Sequence, residues 1–342
     1  MRSNRARTCA VHFSLPRAKF VAAVDRSAST AALFCDRYRA SSSFTDTAEM
    51  LTKAKPDVVH VLTPPGTHEE LIRLAMAAGS HVICEKPMTA NAADSAALLE
   101  EAAGRKLVLV ESANTMWNEN VLALHPLIDA GTLGRVREVD IELSLDLANG
   151  PFGDLNLGDS GVKLPGGAVH DFLPHMCGAW LFLAGQEEAN GLKGTLRNAS
   201  GNRRVGYDLL DCIITDGPVR GRLKLSPDIN PPAFAITVRG SLATAETELF
   251  NPFLRVTGGQ NVGKRAPFEL ISSGIGMTRA GLRGFRDKVF QHTPYHGLVR
   301  MLDDVYAALQ NESSLPSCSR LPRCWRGHEW SIRLLRFEID RP

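Results

Sequence analysis

The sequence predicts an α/β chain: a doubly wound parallel sheet, incomplete at its N-terminus, followed by an α+β domain with an open, mostly antiparallel sheet. Three observations carry this. Short, continuously apolar runs at 58–62, 81–84 and 107–110 alternate with helical patterns, as strands buried on both faces of a parallel sheet do. From 136 to 145 the pattern changes to strict alternation, the mark of a strand with one covered face. At 342 residues the chain is long for a single core, so two domains are expected.

Lys19 to Val24 reads as a strand ending in Asp25-Arg26, after a turn at Leu15 to Ala18. Ser27 to Tyr38 reads as a helix and Phe44 to Lys55 as a short one before Pro56. Val58 to Leu62 is an apolar, β-branched strand stopped by Thr63, Pro64, Pro65 and Gly66. A helix starts at Thr67 with Glu70 as its capping-box partner; Leu71, Leu74, Ala75 and Ala78 form its buried stripe and Gly79 closes it. His81 to Cys84 is a second buried strand, and it ends in Glu85-Lys86-Pro87. Strand, crossover helix and strand form one parallel unit. Both following loops therefore leave by the carboxyl edge of the sheet, where open α/β sheets bind ligands.

A T-P-P-x-x-H loop joined through a helix to an apolar strand ending in E-K-P resembles the Gfo/Idh/MocA oxidoreductases, the glucose-fructose oxidoreductase and inositol dehydrogenase group. The resemblance covers residues 19 to about 180 clearly and the remainder loosely. It implies a truncated Rossmann-like dinucleotide-binding domain at 1–118 and a substrate-binding and oligomerisation domain at 119–342. It further implies NAD or NADP as cofactor, and hydride transfer at a secondary alcohol or ketone of a sugar, cyclitol or related polyol. Thr63, Pro64, Pro65, His68, Glu85, Lys86 and Pro87 would then meet the cofactor, and the C-terminal sheet would build a homo-oligomer. Asp25 would accept hydrogen bonds from the adenosine ribose, while Arg26 stacks on adenine or meets a 2′-phosphate. The plainer reading of Asp25 is a helix cap.

The phosphate-binding turn of such a domain belongs about 20 residues before that acid. No glycine precedes Gly66, and a Cβ would block backbone approach to a pyrophosphate. Residues 1–14 therefore fit the tail of the first helix better than a first strand with its glycine loop. The strands at Lys19 and Val58 are expected to lack the neighbour between them. Met1 is read as an internal start with the glycine loop encoded upstream; the competing reading is a complete chain that binds its dinucleotide poorly.

After Pro87 a helix begins near Asn91, buries Ala93, Ala97 and Leu98, and ends at Gly104. Leu107 to Val110 is the next strand and Glu111 to Asn118 its loop. The resemblance puts a basic residue and an aromatic in that loop near the substrate; this chain has Met116 and Trp117, so Trp117 lines the pocket and an anionic substrate group lacks its base. A helix from Asn118 to Ala130 stops at Gly131. Further strands are read at Val136–Leu145, Gly191–Asn198, Val205–Thr215, Val219–Leu225, Ala233–Arg239 and Thr244–Phe250.

Gly166 to His175 opens a helix running to Leu183, which puts Asp171 and His175, four apart, on one face. A lone pair of this kind is more often structural than catalytic. Taken with E-K-P it resembles the family's D-x-x-x-H signature, and the substrate then meets Lys86, Trp117, His170, Asp171 and His175. In that reading His175 exchanges the alcohol proton, Lys86 holds the oxygen or serves as base, and Asp171 orients one of them. His170 is the weaker candidate, equally a core or capping histidine.

The remaining signals exclude rather than assign. Apolar content of 44%, charged content of 22% and a net charge of +2 are those of an ordinary soluble protein without the basic field of a nucleic-acid binder. No apolar run approaches the roughly 18 residues of a membrane span, and Met1 to Phe13 lacks a secretory apolar core. Seven scattered cysteines without a C-x-x-C pair point to reduced thiols and a cytoplasmic location. Gly258 to Lys264 matches G-x-x-x-x-G-K, but Arg265 replaces the required Ser/Thr, so a hairpin loop is expected. His292 and His296 flank Pro294, and Cys318 and Cys324 lack partners, so no metal is expected. The arginine-rich stretch Arg320 to Arg336 reads as a closing amphipathic helix. The rival to an oxidoreductase is a non-redox homologue that keeps the cleft as a binding or regulatory protein.

Overall fold

The computed structural model describes residues 18–147, 164–186, 190–258, 266–290 and 296–310. They form two units, one from 18–114 together with 298–310, the other from 115–297. The division falls a few residues before the expected one, and the last described helix belongs to the first unit.

In the first unit β1 (Ala22–Val24) and β2 (Ser42–Phe44) pair in parallel, and so do β3 (Val58–Val61), β4 (His81–Cys84) and β5 (Leu109–Glu111), in the order β3-β4-β5. Among the described residues no strand joins β1 to β3, so the parallel sheet stands in two pieces. Residues 1–14, read as the tail of a helix, lie outside the described residues. Strand β2 was not expected: S-S-F is three residues, largely exposed, with no apolar run to announce it. The helix expected from Phe44 is α2 (Thr47–Ala54), after α1 (Ala28–Tyr38); their N-caps, Ser27 and Asp46, each accept a backbone N–H.

Helix α3 (His68–Ala77) departs from the expected pattern in two ways. A 3-10 turn at Pro65–Thr67 precedes it, and the Thr67 hydroxyl lies 2.7 Å from Thr63 Oγ1 and 2.9 Å from the Pro64 carbonyl, so no capping box forms. The buried residues are His68, Ile72, Ala75 and Met76, whereas Leu74 and Ala78 are exposed. Burial of the His68 ring rotates the stripe by one position. In α4 (Ala92–Gly104) the buried side is likewise Ala92, Ser95, Leu98 and Ala102, with Ala93 and Ala97 outside. These residues close one core with Val82, Cys84 and Leu109 of the sheet and Met50 and Leu51 of α2.

Strand β4 is also tied by its first side chain. His81 Nδ1 accepts the Val108 N–H at 2.9 Å, a role open only to the neutral ring. Burial pushes this imidazole below its usual 6.5, partly offset by Asp57. The unfolded chain therefore takes up the proton first, and stability present above pH 6.5 is lost as the pH falls below it toward the depressed folded value. Buried His68 shifts in the same direction. Urea titrations across this range should show the loss, and His81→Asn, whose amide oxygen still accepts, should flatten it.

The second unit opens with α5 (Glu119–Asp129) and β6 (Val136–Ser144), followed by α6 (Gly167–Ala184) and six strands. These are β7 (Asn190–Arg197), β8 (Leu209–Asp216), β9 (Arg220–Ser226), β10 (Ala233–Gly240), β11 (Ala243–Glu248) and β12 (Phe253–Gly258). The sheet order is β12-β11-β10-β6-β9-β8-β7, antiparallel except for β6 against β9. The strand expected from Val205 begins at Leu209 because Arg203–Val205 is a 3-10 turn.

Val139, Ile141 and Leu143 turn inward as the alternation requires and pack with Leu173, Met176 and Trp180 of α6. Helix α6 is apolar nearly all round and accordingly buried. The outer face of the sheet carries cross-strand ion pairs: Lys224 with Glu142 at 2.7 Å, Arg239 with Glu138 and Asp140, Arg222 with Asp211. Each contributes about 0–1 kcal/mol in solvent.

Helix α7 (Ala266–Phe290) ends the second unit, and α8 (His296–Gln310) returns the chain to the first, where Met301, Leu302 and Val305 are buried. The Tyr306 hydroxyl meets His60 Nε2 at 3.0 Å, and burial pushes that phenol well above its usual range. The G-x-x-x-x-G-K loop beyond Gly258, His292 and the cysteine- and arginine-rich stretch from 318 lie outside the described residues. No helix among the described residues is long and apolar enough to cross a membrane, and no group of three metal-ligating side chains occurs among them.

Candidate active site

The first unit gathers its chemistry at the carboxyl ends of β3 and β4. The two strands are in register with Val61 beside Cys84, so Thr63-Pro64-Pro65 and Glu85-Lys86-Pro87 leave from neighbouring positions. His68 ties them together. Its Nε2 lies 2.7 Å from the Thr63 carbonyl and its Nδ1 3.0 Å from the Pro87 carbonyl, and the residue is fully buried. Burial pushes the ring below its usual value against the pull of both carbonyls and Glu111. A neutral ring donates to one carbonyl at a time; the tautomer fixes which.

The E-K-P turn is held from two further directions. Glu85 N–H donates to the Val61 carbonyl at 2.9 Å, and Glu111 Oε1 accepts the Met88 N–H at 2.6 Å. Lys86 stands half-buried in this frame, joined to Pro87 by a cis peptide bond. His68→Ala would remove the tie and leave a void, at an expected cost of about 3 kcal/mol. His68→Gln, which keeps an amide donor, should lose less in the same urea titration.

Asp25 and Arg26 stand at the end of β1, Asp25 half-buried and Arg26 exposed. Asp25 Oδ1 accepts the Ser27 N–H at 2.9 Å, while Ser27 is the cap of α1. The carboxylate thus supports the start of the helix without being its cap.

In the second unit Asp171 and His175 lie one turn apart on α6, both half-buried. His170 is fully buried, which accords with the core reading of that residue. Gly167 has a positive φ of 58°, and a Cβ there would collide with the backbone of Val205, Gly206 and Tyr207. That contact lets Val169 N–H reach the Tyr207 carbonyl at 3.0 Å and seats the helix start. Trp117 and Met116 are buried in the 3-10 turn Asn114–Trp117.

Two residues of the site were not anticipated. The Thr115 hydroxyl meets His175 Nδ1 at 2.7 Å, and Glu111 holds the E-K-P turn from β5. Thr115 and His175 are 60 positions apart and no spacing rule links them. Glu111 falls in β5 because that strand runs Leu109–Glu111, later than the expected Leu107 to Val110.

Residues 3–112 match the oxidoreductase family with an NAD-binding Rossmann fold, Gfo/Idh/MocA. The likeness to that family lies in the first third of the chain. Over 127 residues it is 37% identical to the inositol 2-dehydrogenase of Gluconacetobacter diazotrophicus, covering 36% of this chain and 37% of that protein. Two solved structures extend the likeness of fold to nearly the whole chain. The inositol dehydrogenase homolog of Azotobacter vinelandii, complexed with NADH and myo-inositol, gives a TM-score of 0.75 at 18% identity, over 98% of this chain and 91% of that one. The WlbA dehydrogenase of Bordetella pertussis, in complex with NADH and UDP-GlcNAcA, also gives 0.75, at 17% identity, over 97% and 90%. At such identities the likeness is one of fold. By sequence the chain spans between 26% and 43% of the length of the relatives it matches.

Proposed function

We propose that the chain is an NAD(P)-dependent oxidoreductase acting at a secondary alcohol or ketone of a sugar, cyclitol or related polyol. The observation that carries this is the pair of loops at the carboxyl edge, T-P-P-x-x-H and E-K-P, clasped by buried His68. The residues present suit a dinucleotide: Asp25 offers a ribose acceptor at the end of β1, and the E-K-P turn is braced from three sides. A nicotinamide, when bound, takes the hydride and its electron pair from the carbinol carbon or gives it back.

The side chains manage the oxygen and its proton. As the C–H bond breaks toward a ketone, the hydroxyl proton passes to a base, for which His175 is the residue of suitable pKa range, about 6.5 unperturbed. Thr115 meets its Nδ1 at 2.7 Å, which supports proton exchange through the other ring nitrogen. Lys86 donates a hydrogen bond to the same oxygen and stabilises the charge that develops there. Asp171 orients the lysine or the histidine. Trp117 is buried and supports the turn beneath the site, and that turn holds no cation to meet an anionic substrate. Asp25 suits a free ribose hydroxyl and Arg26 a 2′-phosphate, so both coenzymes are candidates. The buried free thiols of Cys35, Cys84, Cys177 and Cys212 support a cytosolic setting.

Titration of the purified chain with NADH and with NADPH tests the reading through nicotinamide fluorescence. Enhancement at micromolar cofactor is expected. No signal at millimolar cofactor would favour the binding or regulatory protein instead.

A further inference from the structure

We propose that Thr115 is a positioning residue that keeps the proton of neutral His175 on Nδ1 and so leaves Nε2 bare to receive the proton of an alcohol. This rests on the reading above, in which His175 is the base. Thr115 Oγ1 lies 2.7 Å from His175 Nδ1, and both residues are half-buried. The hydroxyl oxygen has lone pairs with which to accept from Nδ1–H. Were the hydroxyl to donate instead, the neutral ring would carry its proton on Nε2 and have no lone pair for the incoming one. Alcohol oxidation and its reversal pass through the same two forms of the ring, neutral with Nδ1–H and imidazolium with both nitrogens protonated. In each of them Nδ1–H donates to Thr115, so one acceptor serves both directions.

Packing aims the hydroxyl. Met116 and Trp117, the next two residues of the 3-10 turn, are each 3% exposed. Met116 lies against Gly178 of α6, where a Cβ would stand 3.2 Å from its sulfur. Gly178 follows His175 by three residues and shares its side of the helix. The missing Cβ lets the turn sit close on α6, which brings the threonine within reach of the ring. On the far side the Asn118 N–H donates to the Thr115 carbonyl at 3.0 Å, and Asn118 Oδ1 caps α5 by accepting the Asn120 N–H at 2.9 Å. Apolar packing and backbone bonds thus seat the turn without the hydroxyl. Its bond to Nδ1 acts on the ring more than on the fold.

Nitrogen NMR of the full chain with labelled histidine, at about pH 8 where an imidazole is neutral, reads the tautomer without any turnover. His175→Gln identifies the signal. The wild type should hold the proton on Nδ1. Thr115→Val keeps the shape and removes the acceptor, so the proton should move to Nε2, the site an unpartnered imidazole prefers. With whichever aldose or cyclitol the wild type oxidises, the same variant should lose about thirty-fold in kcat, the worth of a hydrogen bond to a charged ring, while NADH affinity stays within a few-fold. Thr115→Ser should restore both tautomer and rate. A wild-type ring protonated on Nε2 would overturn the proposal, and so would a Thr115→Val variant with the wild-type tautomer or rate. The expected tautomer shift in a chain that binds neither NADH nor NADPH would uphold the pairing and overturn the dehydrogenase reading instead.

Discussion

Lys86→Ala is expected to lower turnover by about a thousand-fold or more while cofactor affinity moves by no more than a few-fold. The ammonium stands at the carboxyl end of β4, on a turn held by His68, Glu111 and the Val61 carbonyl. Those three ties are made by other groups and persist when the lysine side chain is cut back. In the proposed mechanism what is lost is a donor to the reacting oxygen, which matters most when that oxygen carries charge. Steady-state rates paired with fluorescence titration separate the two quantities. Wild-type turnover in Lys86→Ala would remove the lysine from the chemistry. A parallel loss of cofactor binding would make it a positioning group.

Gly221→Ala is expected to destabilise the second unit by roughly 3–5 kcal/mol, enough to prevent accumulation of folded protein. Gly221 sits in β9 directly beside Val139 of β6, in the one parallel pairing of the large sheet. A Cβ there would press on the Val139 carbonyl and on the indole nitrogen of Trp180, two groups joined to each other at 3.0 Å. Trp180 is fully buried, so displacing it breaks that hydrogen bond and the packing of α6 together. Backbone in a central strand cannot yield as a surface side chain can. Thermal melts followed by tryptophan emission decide it, with Gly104→Ala as the control, since no atom lies within 4 Å of a Cβ there. Equal melting temperatures for the two variants would refute the account.

Strands β3 and β4 and the long alternating strand β6 were legible because each repeats one physical demand, burial on both faces or on one, over four or more residues. Strand β2 was not, since two exposed serines and one phenylalanine make no pattern. The buried stripe of α3 was misplaced by one position because a buried histidine replaced the apolar residue that periodicity seeks at the helix start. The site divided in the same way. The T-P-P-x-x-H and E-K-P motifs, with Asp171 and His175, could be named from residue type and spacing.

The sequence by itself determined the two sheet types and the edge on which the motif loops open, because local periodicity and turn signals encode those directly; the residues proposed for hydride chemistry rest on the resemblance its short motifs carry. Only the tertiary structure decided that His68 is a buried clasp between loops and that Glu111 and Thr115 hold the reactive turn and the histidine. Those roles depend on contacts between residues up to 60 positions apart. Chain folding creates such contacts, and no local pattern records them.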